Sequence, residues 1–212
     1  MNDVVGRFVA LEGGEGVGKS TQARLLADAL KARGFEVVLT REPGGTPGAE
    51  AVRGLLLDPP APGWHAAAEA LLFAAARADH VERAIRPALA RGAWVICDRF
   101  LDSSRAYQGG AGGMLDADLL QLHRIGSGGL LPDVTLLLEL PAILAEQRLA
   151  RRDGGASDAI GGRGASYHGR VALTFADLAD AEPDRFCRID AGGAESEVHR
   201  RILQTLGLAS EC

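Results

Sequence analysis

Lysine is nearly missing from this chain: Lys19 and Lys31 stand against 21 arginines. Arginine supplies positive charge almost everywhere else, so a lysine kept at position 19 marks a place for a compact, mobile ammonium. Asparagine is scarcer still, with Asn2 the sole example. That rules out the Asn-Lys-x-Asp motif by which switch-type GTPases read guanine. The three cysteines, Cys97, Cys187 and Cys212, are odd in number and widely spaced with no C-x-x-C, which excludes a disulfide framework and a cysteine zinc site and suits a reducing compartment. An excess of positive charge is also lacking. At a formal charge of -5 and a pI near 5.6 the chain is no general nucleic-acid binder, which needs a basic face, so arginine clusters are to be read as sites. No apolar run approaches the roughly 18 residues needed to span a bilayer, and residues 1–7 lack signal-peptide architecture. We expect a soluble, cytoplasmic protein with no membrane partner.

What is present begins at residue 13. Gly13-Gly14-Glu15-Gly16-Val17-Gly18-Lys19-Ser20-Thr21 fills the pattern G-x-x-x-x-G-K-[ST] between an apolar run, Phe8-Val9-Ala10-Leu11, and a helix-like stretch from Lys19. This is the strand-to-helix context of a nucleotide-phosphate site. The glycines let consecutive N–H groups point inward at phosphate oxygens, and the helix adds its positive dipole end. Lys19 supplies charge for the β- and γ-phosphates, and the Ser20 hydroxyl is placed for the Mg²⁺ that bridges them. A plain glycine-rich turn without a ligand explains neither the Lys-Ser-Thr ending nor the density of glycine.

Short aliphatic runs alternate with longer helical patterns, the order of βαβ units. Strands are expected near 7–11, 36–40, 93–97, 134–140 and 186–189. Helices are expected near 19–33, 48–57, 65–90 with Pro87 bending the last, 116–127, 142–152, 165–180 and 195–206. The glycine- and proline-rich segments 43–48, 58–63, 109–113 and 154–164 read as loops, the last as a flap preceded by Arg148, Arg151 and Arg152. The length of 212 residues with 47% apolar content suits a single domain over 1–212. The fold class is α/β, a P-loop NTPase-type five-stranded parallel sheet with helices on both faces and a short mobile lid at about 152–164.

Two further clusters follow strands. Trp94-Val95-Ile96-Cys97-Asp98-Arg99 is a buried strand ending in an acid and a base, which brings both beside the phosphate loop, because open α/β sheets bind ligands at the carboxyl ends of their strands. Asp98 suits the metal or its water, and Arg99 a phosphate; a salt-bridged strand end is the blander reading of the pair. Arg41-Glu42-Pro43-Gly44-Gly45-Thr46 follows another strand, with Arg53 one helical turn into what comes next. Surface solubility explains any one of these arginines but not their shared placement.

With the phosphate loop, the runs Arg41 to Thr46, Leu72-Phe73-Ala74-Ala75-Ala76-Arg77-Ala78-Asp79-His80-Val81, and Asp98-Arg99-Phe100-Leu101-Asp102-Ser103-Ser104-Arg105-Ala106-Tyr107-Gln108-Gly109 resemble the thymidylate kinases, in family order across nearly the whole chain. The resemblance implies a nucleoside-monophosphate-kinase-like domain that transfers the γ-phosphoryl of Mg·ATP to dTMP, giving dTDP and ADP on the route to dTTP. ATP and dTMP are then the partners, Mg²⁺ the cofactor, and a homodimer the assembly.

The matched positions imply roles. Phe73 is similar to the aromatic that stacks on thymine, and Arg77 to the donor that reads base O4. Ser104 and Gln108 match positions at the base edge, and Tyr107 the residue crowding C2′. Arg53 and Arg99 match grips on the dTMP phosphate, with Arg41 in support. Glu15 matches a carboxylate that reaches the dTMP side, and family members with an acid there take the catalytic arginine from the flap, which points to Arg151 and Arg152. The catalytic set is then Lys19, Arg99, Glu15, Arg151 and Arg152, and Ser20 and Asp98 serve the metal. The chain departs from the family pattern at Asp158-Ala159-Ile160, where Asp-Arg-Ile is usual, and at Gly110-Ala111-Gly112-Gly113, where an arginine often stands. A kinase for another nucleoside monophosphate differs in base preference at Phe73, Arg77 and Gln108. A non-catalytic P-loop regulator has no need of the acceptor-side arginines.

Overall fold

Alternate residues of the first strand, β1 (Arg7–Glu12), point to opposite sides, and both sides are apolar and buried, the mark of a strand covered on two faces. The computed structural model, which describes residues 6–153 and 160–209, places β1 at the centre of a parallel sheet. The other strands are β2 (Val37–Arg41), β3 (Trp94–Asp98), β4 (Val134–Glu139) and β5 (Phe186–Asp190), in the order β2-β3-β1-β4-β5. In register, Leu11 lies opposite Asp98 on one side and Leu136 on the other. Each expected strand falls on an observed one with ends shifted by a residue.

Val9 and Leu11 pack with Ile96, Leu136 and Leu138 against Leu26 and Leu30 of α1 (Lys19–Lys31) and Ile202 of α9 (Glu195–Thr205). On the other face Phe8 and Ala10 pack with Val95, Ile85, Phe100 and Leu101. Between these lie α2 (Pro47–Leu57), α3 (Ala66–His80), α4 (Arg86–Ala90), α5 (Leu101–Ser104), α6 (Asp116–Ser127), α7 (Ala142–Asp153) and α8 (Ala165–Ala181). The start of α2 follows from its sequence: Thr46 Oγ1 accepts from Ala49 N at 3.2 Å, and Pro47 takes the first helical position, where a missing N–H costs nothing. Among the described residues no helix is long and apolar enough to cross a membrane.

Two elements differ from the sequence reading. The expected bent helix at 65–90 is α3 joined to α4 by a π-wound turn, Val81–Ile85. Pro87 offers no N–H to the carbonyl of Arg83 and crowds it, and the widened turn just before it takes up the misfit. The second difference is at 109–113. Instead of a loop beginning at Gly109, α5 runs on through a π-wound turn, Arg105–Ala111. The helical path brings Gly110 so close to α8 that a Cβ there would collide with the Thr174 side chain. The N-terminal donors of α5 are met by a carboxylate from another strand: Glu12 Oε1 accepts from Phe100 N at 2.8 Å and Ser103 N at 3.1 Å. Of the flap, residues 154–159, including Asp158 and Ala159, lie outside the described residues, as does the Arg152 side chain.

Candidate active site

The carboxyl ends of β1, β2 and β3 open into one cleft of about 920 Å³. That position follows from strand order, since the chain leaves β1 on a different course from its neighbours.

The wall formed by residues 13–21 is main chain. Gly13, Gly16 and Gly18 have positive φ, and a Cβ on Gly16 would lie 2.5 Å from the Ala145 carbonyl oxygen of α7. Gly14 is different: its φ is outside the left-handed region and nothing lies within 4 Å of a Cβ, so close approach does not require glycine there. Lys19 opens α1 and is nearly buried; its Nζ donates to Gly13 O at 3.1 Å and Gly14 O at 2.5 Å. Burial, aided by the Arg99 charge, holds the ammonium down to about 8, and Glu15 opposes the shift. Val17 and Thr21 also face the cleft. Ser20 Oγ donates to Asp98 Oδ2 at 2.5 Å, while Asp98 Oδ1 is buried with no hydrogen-bond partner. One hydroxyl beside one unsatisfied carboxylate oxygen fits Mg²⁺, which is held by few protein oxygens and takes the rest from phosphates and water. Among the described residues no group of three or more His, Cys, Asp or Glu makes an all-protein cage.

Arg99 lies between the two walls. It is the single non-glycine residue with positive φ among those described, at 69°, a conformation that costs a side-chain-bearing residue roughly 1–2 kcal/mol. Its backbone N–H donates to Leu11 O at 3.0 Å. Its guanidinium donates to Gly13 O at 3.2 Å, Ser103 Oγ at 3.1 Å, Glu15 Oε1 at 2.5 Å and Tyr107 OH at 3.2 Å. The Arg99 charge holds the Glu15 carboxyl down to about 2. Glu15 is therefore ionised throughout the working range, offsetting both cations beside it.

The opposite wall is built of side chains. Arg77 of α3 is buried; its Nε donates to Glu42 Oε2 at 2.7 Å and its NH2 group to Ser104 Oγ at 2.9 Å and Phe100 O at 3.2 Å. Among the described residues no acceptor reaches its other terminal nitrogen. Phe73 stands one turn earlier, half-buried, on the cleft. Gln108 and Tyr107 come from the widened turn after α5, a geometry common at functional sites. Arg53 NH1 donates to Pro43 O at 2.7 Å, and Arg41 is paired with Glu50 at 2.9 Å; both reach the cleft. Arg151 of α7 lines the cleft too, and Arg148, one turn earlier, donates to Ala191 O at 3.0 Å.

The sequence reading passed over the acids that hold this wall. Glu12 is fully buried, and burial, then the Asp102 charge, pushes its carboxyl up to about 7. Ser103 Oγ donates to it at 2.6 Å and accepts from Arg99. Glu42 holds Arg77 and also meets His80 Nδ1 at 3.1 Å. Glu69 meets Gln108 and Arg163. The available signal was an acid closing or interrupting an otherwise apolar segment.

A P-loop at the switch point of a parallel sheet, facing a wall of arginines and polar side chains, defines a nucleotide kinase of the P-loop class. The thymidylate kinase family profile matches residues 11–202. A thymidylate kinase of Rhizorhabdus wittichii is 58% identical over 95% of this chain and 97% of its own length, and one of Caulobacter vibrioides 50% identical over 96% and 99%. The crystal structure of thymidylate kinase from Ehrlichia chaffeensis superposes with a TM-score of 0.78 at 32% identity, covering 95% of this chain and 98% of its own. The chain belongs to the thymidylate kinase family.

Proposed function

We propose that this enzyme carries the γ-phosphoryl group of Mg·ATP to a phosphate oxygen of dTMP, forming dTDP and ADP for dTTP synthesis, with the two walls of the cleft holding one nucleotide each. The observation that carries the reading is Arg99, tied at once to the phosphate-loop carbonyl of Gly13 and to Glu15 and Tyr107 on the acceptor side. A cation held there faces the transferring group from the start and needs no reorganisation when charge develops.

Residues 13–21 hold the triphosphate, and Lys19 turns from the loop carbonyls to the β- and γ-oxygens. Ser20 and Asp98 would hold Mg²⁺, which would supply positive charge against the phosphates. Arg99, Arg53 and Arg41 grip the acceptor phosphate. Glu15 keeps their charges oriented without competing for a proton. Phe73 stacks on thymine, the remaining Arg77 nitrogen donates to O4, Ser104 and Gln108 meet the base edge, and Tyr107 crowds C2′. Arg151, with Arg152 beside it in sequence, supplies the flap charge. Arg163 is engaged by Glu69 on the acceptor side, which supports leaving the donor side to α7. We further propose a cytoplasmic homodimer, in which the exposed apolar side chains Leu71 of α3 and Ile125 of α6 meet a second copy.

The test is steady-state kinetics with Mg·ATP and dTMP, dUMP, dCMP, dGMP or AMP. Preference for dTMP is expected. Equal turnover of a purine acceptor would overturn the acceptor assignment, and nucleotide binding without turnover would indicate a regulator.

A further inference from the structure

Glu69 lies on the helix face that carries Phe73 and Arg77, at steps of four residues, and is mostly buried. Its Oε1 accepts from Gln108 Nε2 at 2.9 Å, and its Oε2 is paired with Arg163 NH2. Arg163 is itself fixed. Its NH1 group donates to Tyr167 OH at 2.6 Å, its guanidinium lies over the Tyr167 ring at 4.8 Å, and that hydroxyl donates onward to Tyr107 O at 2.7 Å.

A side-chain amide can turn over and exchange its donor for its acceptor at little cost. An ion-paired carboxylate cannot, because it only accepts. The Gln108 atom facing Glu69 is therefore the nitrogen, and the Gln108 oxygen is turned away from it. Among the described residues no donor reaches that oxygen, and Gln108 lines the cleft beside Ser104 and Arg77.

We propose that Glu69, held by Arg163, is a positioning residue for base selection: it locks Gln108 with its carbonyl oxygen toward the acceptor base. This rests on the reading that Gln108 meets the base edge. Thymine presents an N3–H donor that such an oxygen accepts, whereas cytosine presents a bare N3 lone pair that opposes it. The lock adds a rejection of cytosine separate from that of Arg77, made by an unfavourable contact as well as a lost one.

The experiment compares kcat/KM for dTMP and dCMP, with thermal midpoints, in Q108L, E69Q and the swap E69Q/Q108E. Q108L should raise the dTMP KM and lower the dTMP-over-dCMP ratio. If it changes neither, Gln108 does not meet the base, and it is the underlying reading that fails. E69Q frees the amide to turn over, so the ratio should fall about tenfold, the discrimination carried by one hydrogen bond, with kcat for dTMP largely kept. The swap places an amide donor at 69 against a carboxylate at 108, whose outer oxygen again accepts, so the ratio should recover. A merely structural role lowers both acceptors equally and is not repaired by the swap. The proposal is overturned if Q108L loses selectivity while E69Q keeps it, or if the swap is no more selective than E69Q. Should E69Q not fold, the swap is compared with Q108L directly, and equal ratios in those two overturn it.

Discussion

The wall of the cleft formed by residues 13–21 acts through its main chain, whereas the opposite wall acts through side chains drawn from the ends of β2 and β3, from α3 and from the turn after α5. On the first, glycine conformation aims the N–H groups, and one lysine completes the site. On the second, acids hold key polar groups, Arg77 by Glu42 and Gln108 by Glu69, and between the walls Arg99 is held by Glu15. Main-chain donors are oriented by the fold itself. Side chains on long stems must be oriented by neighbours, and in a buried site only a well-placed acceptor does that without leaving a charge unpaired. Damage to the first wall should therefore remove catalysis, while damage to the second should first blur selectivity.

The largest effect expected is at Lys19. Lys19→Ala should lower turnover by about 10² to 10³, the range for losing a preorganised charge at the transferring group, with little change in folding. Near-normal turnover would overturn the comparison itself. A finer check uses pH. With the ammonium held down to about 8 in the free protein, phosphate binding should restore its charge, so ATP binding should take up a proton once the pH rises above about 8 and none well below it. Calorimetry in buffers of different ionisation heat reads that uptake, which should vanish in Lys19→Ala.

At the opposite wall, if it takes the acceptor base as proposed, Arg77→Ala should reduce thymine-over-cytosine selection by about 10- to 100-fold, the range for removing a donor matched to one base edge. Glu42→Gln should reproduce part of that loss although Glu42 need not touch the nucleotide, because Arg77 Nε then loses its ionic acceptor. An unchanged base preference in Glu42→Gln would show that Arg77 holds its orientation unaided.

Much of the first wall was legible in the sequence because it is contiguous. A glycine-rich run with Lys19 and Ser20, between an apolar run and a helix, contains its own context. The strands were legible for a similar reason, since a strand buried on both faces is a short apolar run wherever it occurs. Glu12, Glu42 and Glu69 were not. What makes each matter is burial against a partner far along the chain: Glu12 and Ser103 are 91 residues apart, Glu42 and Arg77 35, Glu69 and Arg163 94. No local pattern separates such an acid from a solvated one. The widened turn at 105–111 was hidden because Gly109 and Gly110 suggest a loop until Leu119 is seen beside the first and Thr174 filling the space beside the second. Phe73, Arg77 and Gln108 entered through family resemblance, since alone they are an aromatic, a cation and an amide on a helix.

A smaller effect is expected where α7 meets the wall of residues 13–21. Arg151 is exposed and lines the cleft on the α7 face that also carries Arg148. Arg151→Ala should lower kcat by about tenfold with the dTMP KM unchanged, as for a contact made chiefly in the transition state. A raised dTMP KM with normal kcat would move Arg151 to the acceptor side.

The smallest effect concerns Glu12, beneath both walls. Three donors favour its charged form, yet burial and the Asp102 charge outweigh them, and its carboxyl stands near 7 instead of the ordinary 4.5. A carboxyl whose pKa is raised by folding contributes stability that is present below the unfolded value and is lost as the pH rises through the folded one. For Glu12 that window runs from 4.5 to about 7. Glu12→Gln removes the titration while keeping an oxygen for the N–H groups of Phe100 and Ser103, so the substituted protein should not share this part of the pH dependence. The wild-type melting temperature minus that of Glu12→Gln should therefore fall between pH 5 and pH 8 by a few degrees, on the order of 1–3 kcal/mol in a chain this size. Because Ser103 links Glu12 to Arg99, kcat should drop modestly in the same variant at every pH. A melting difference that stays constant from pH 5 to pH 8 would mean that the acid under α5 remains charged across that range, and that the three donors outweigh its burial.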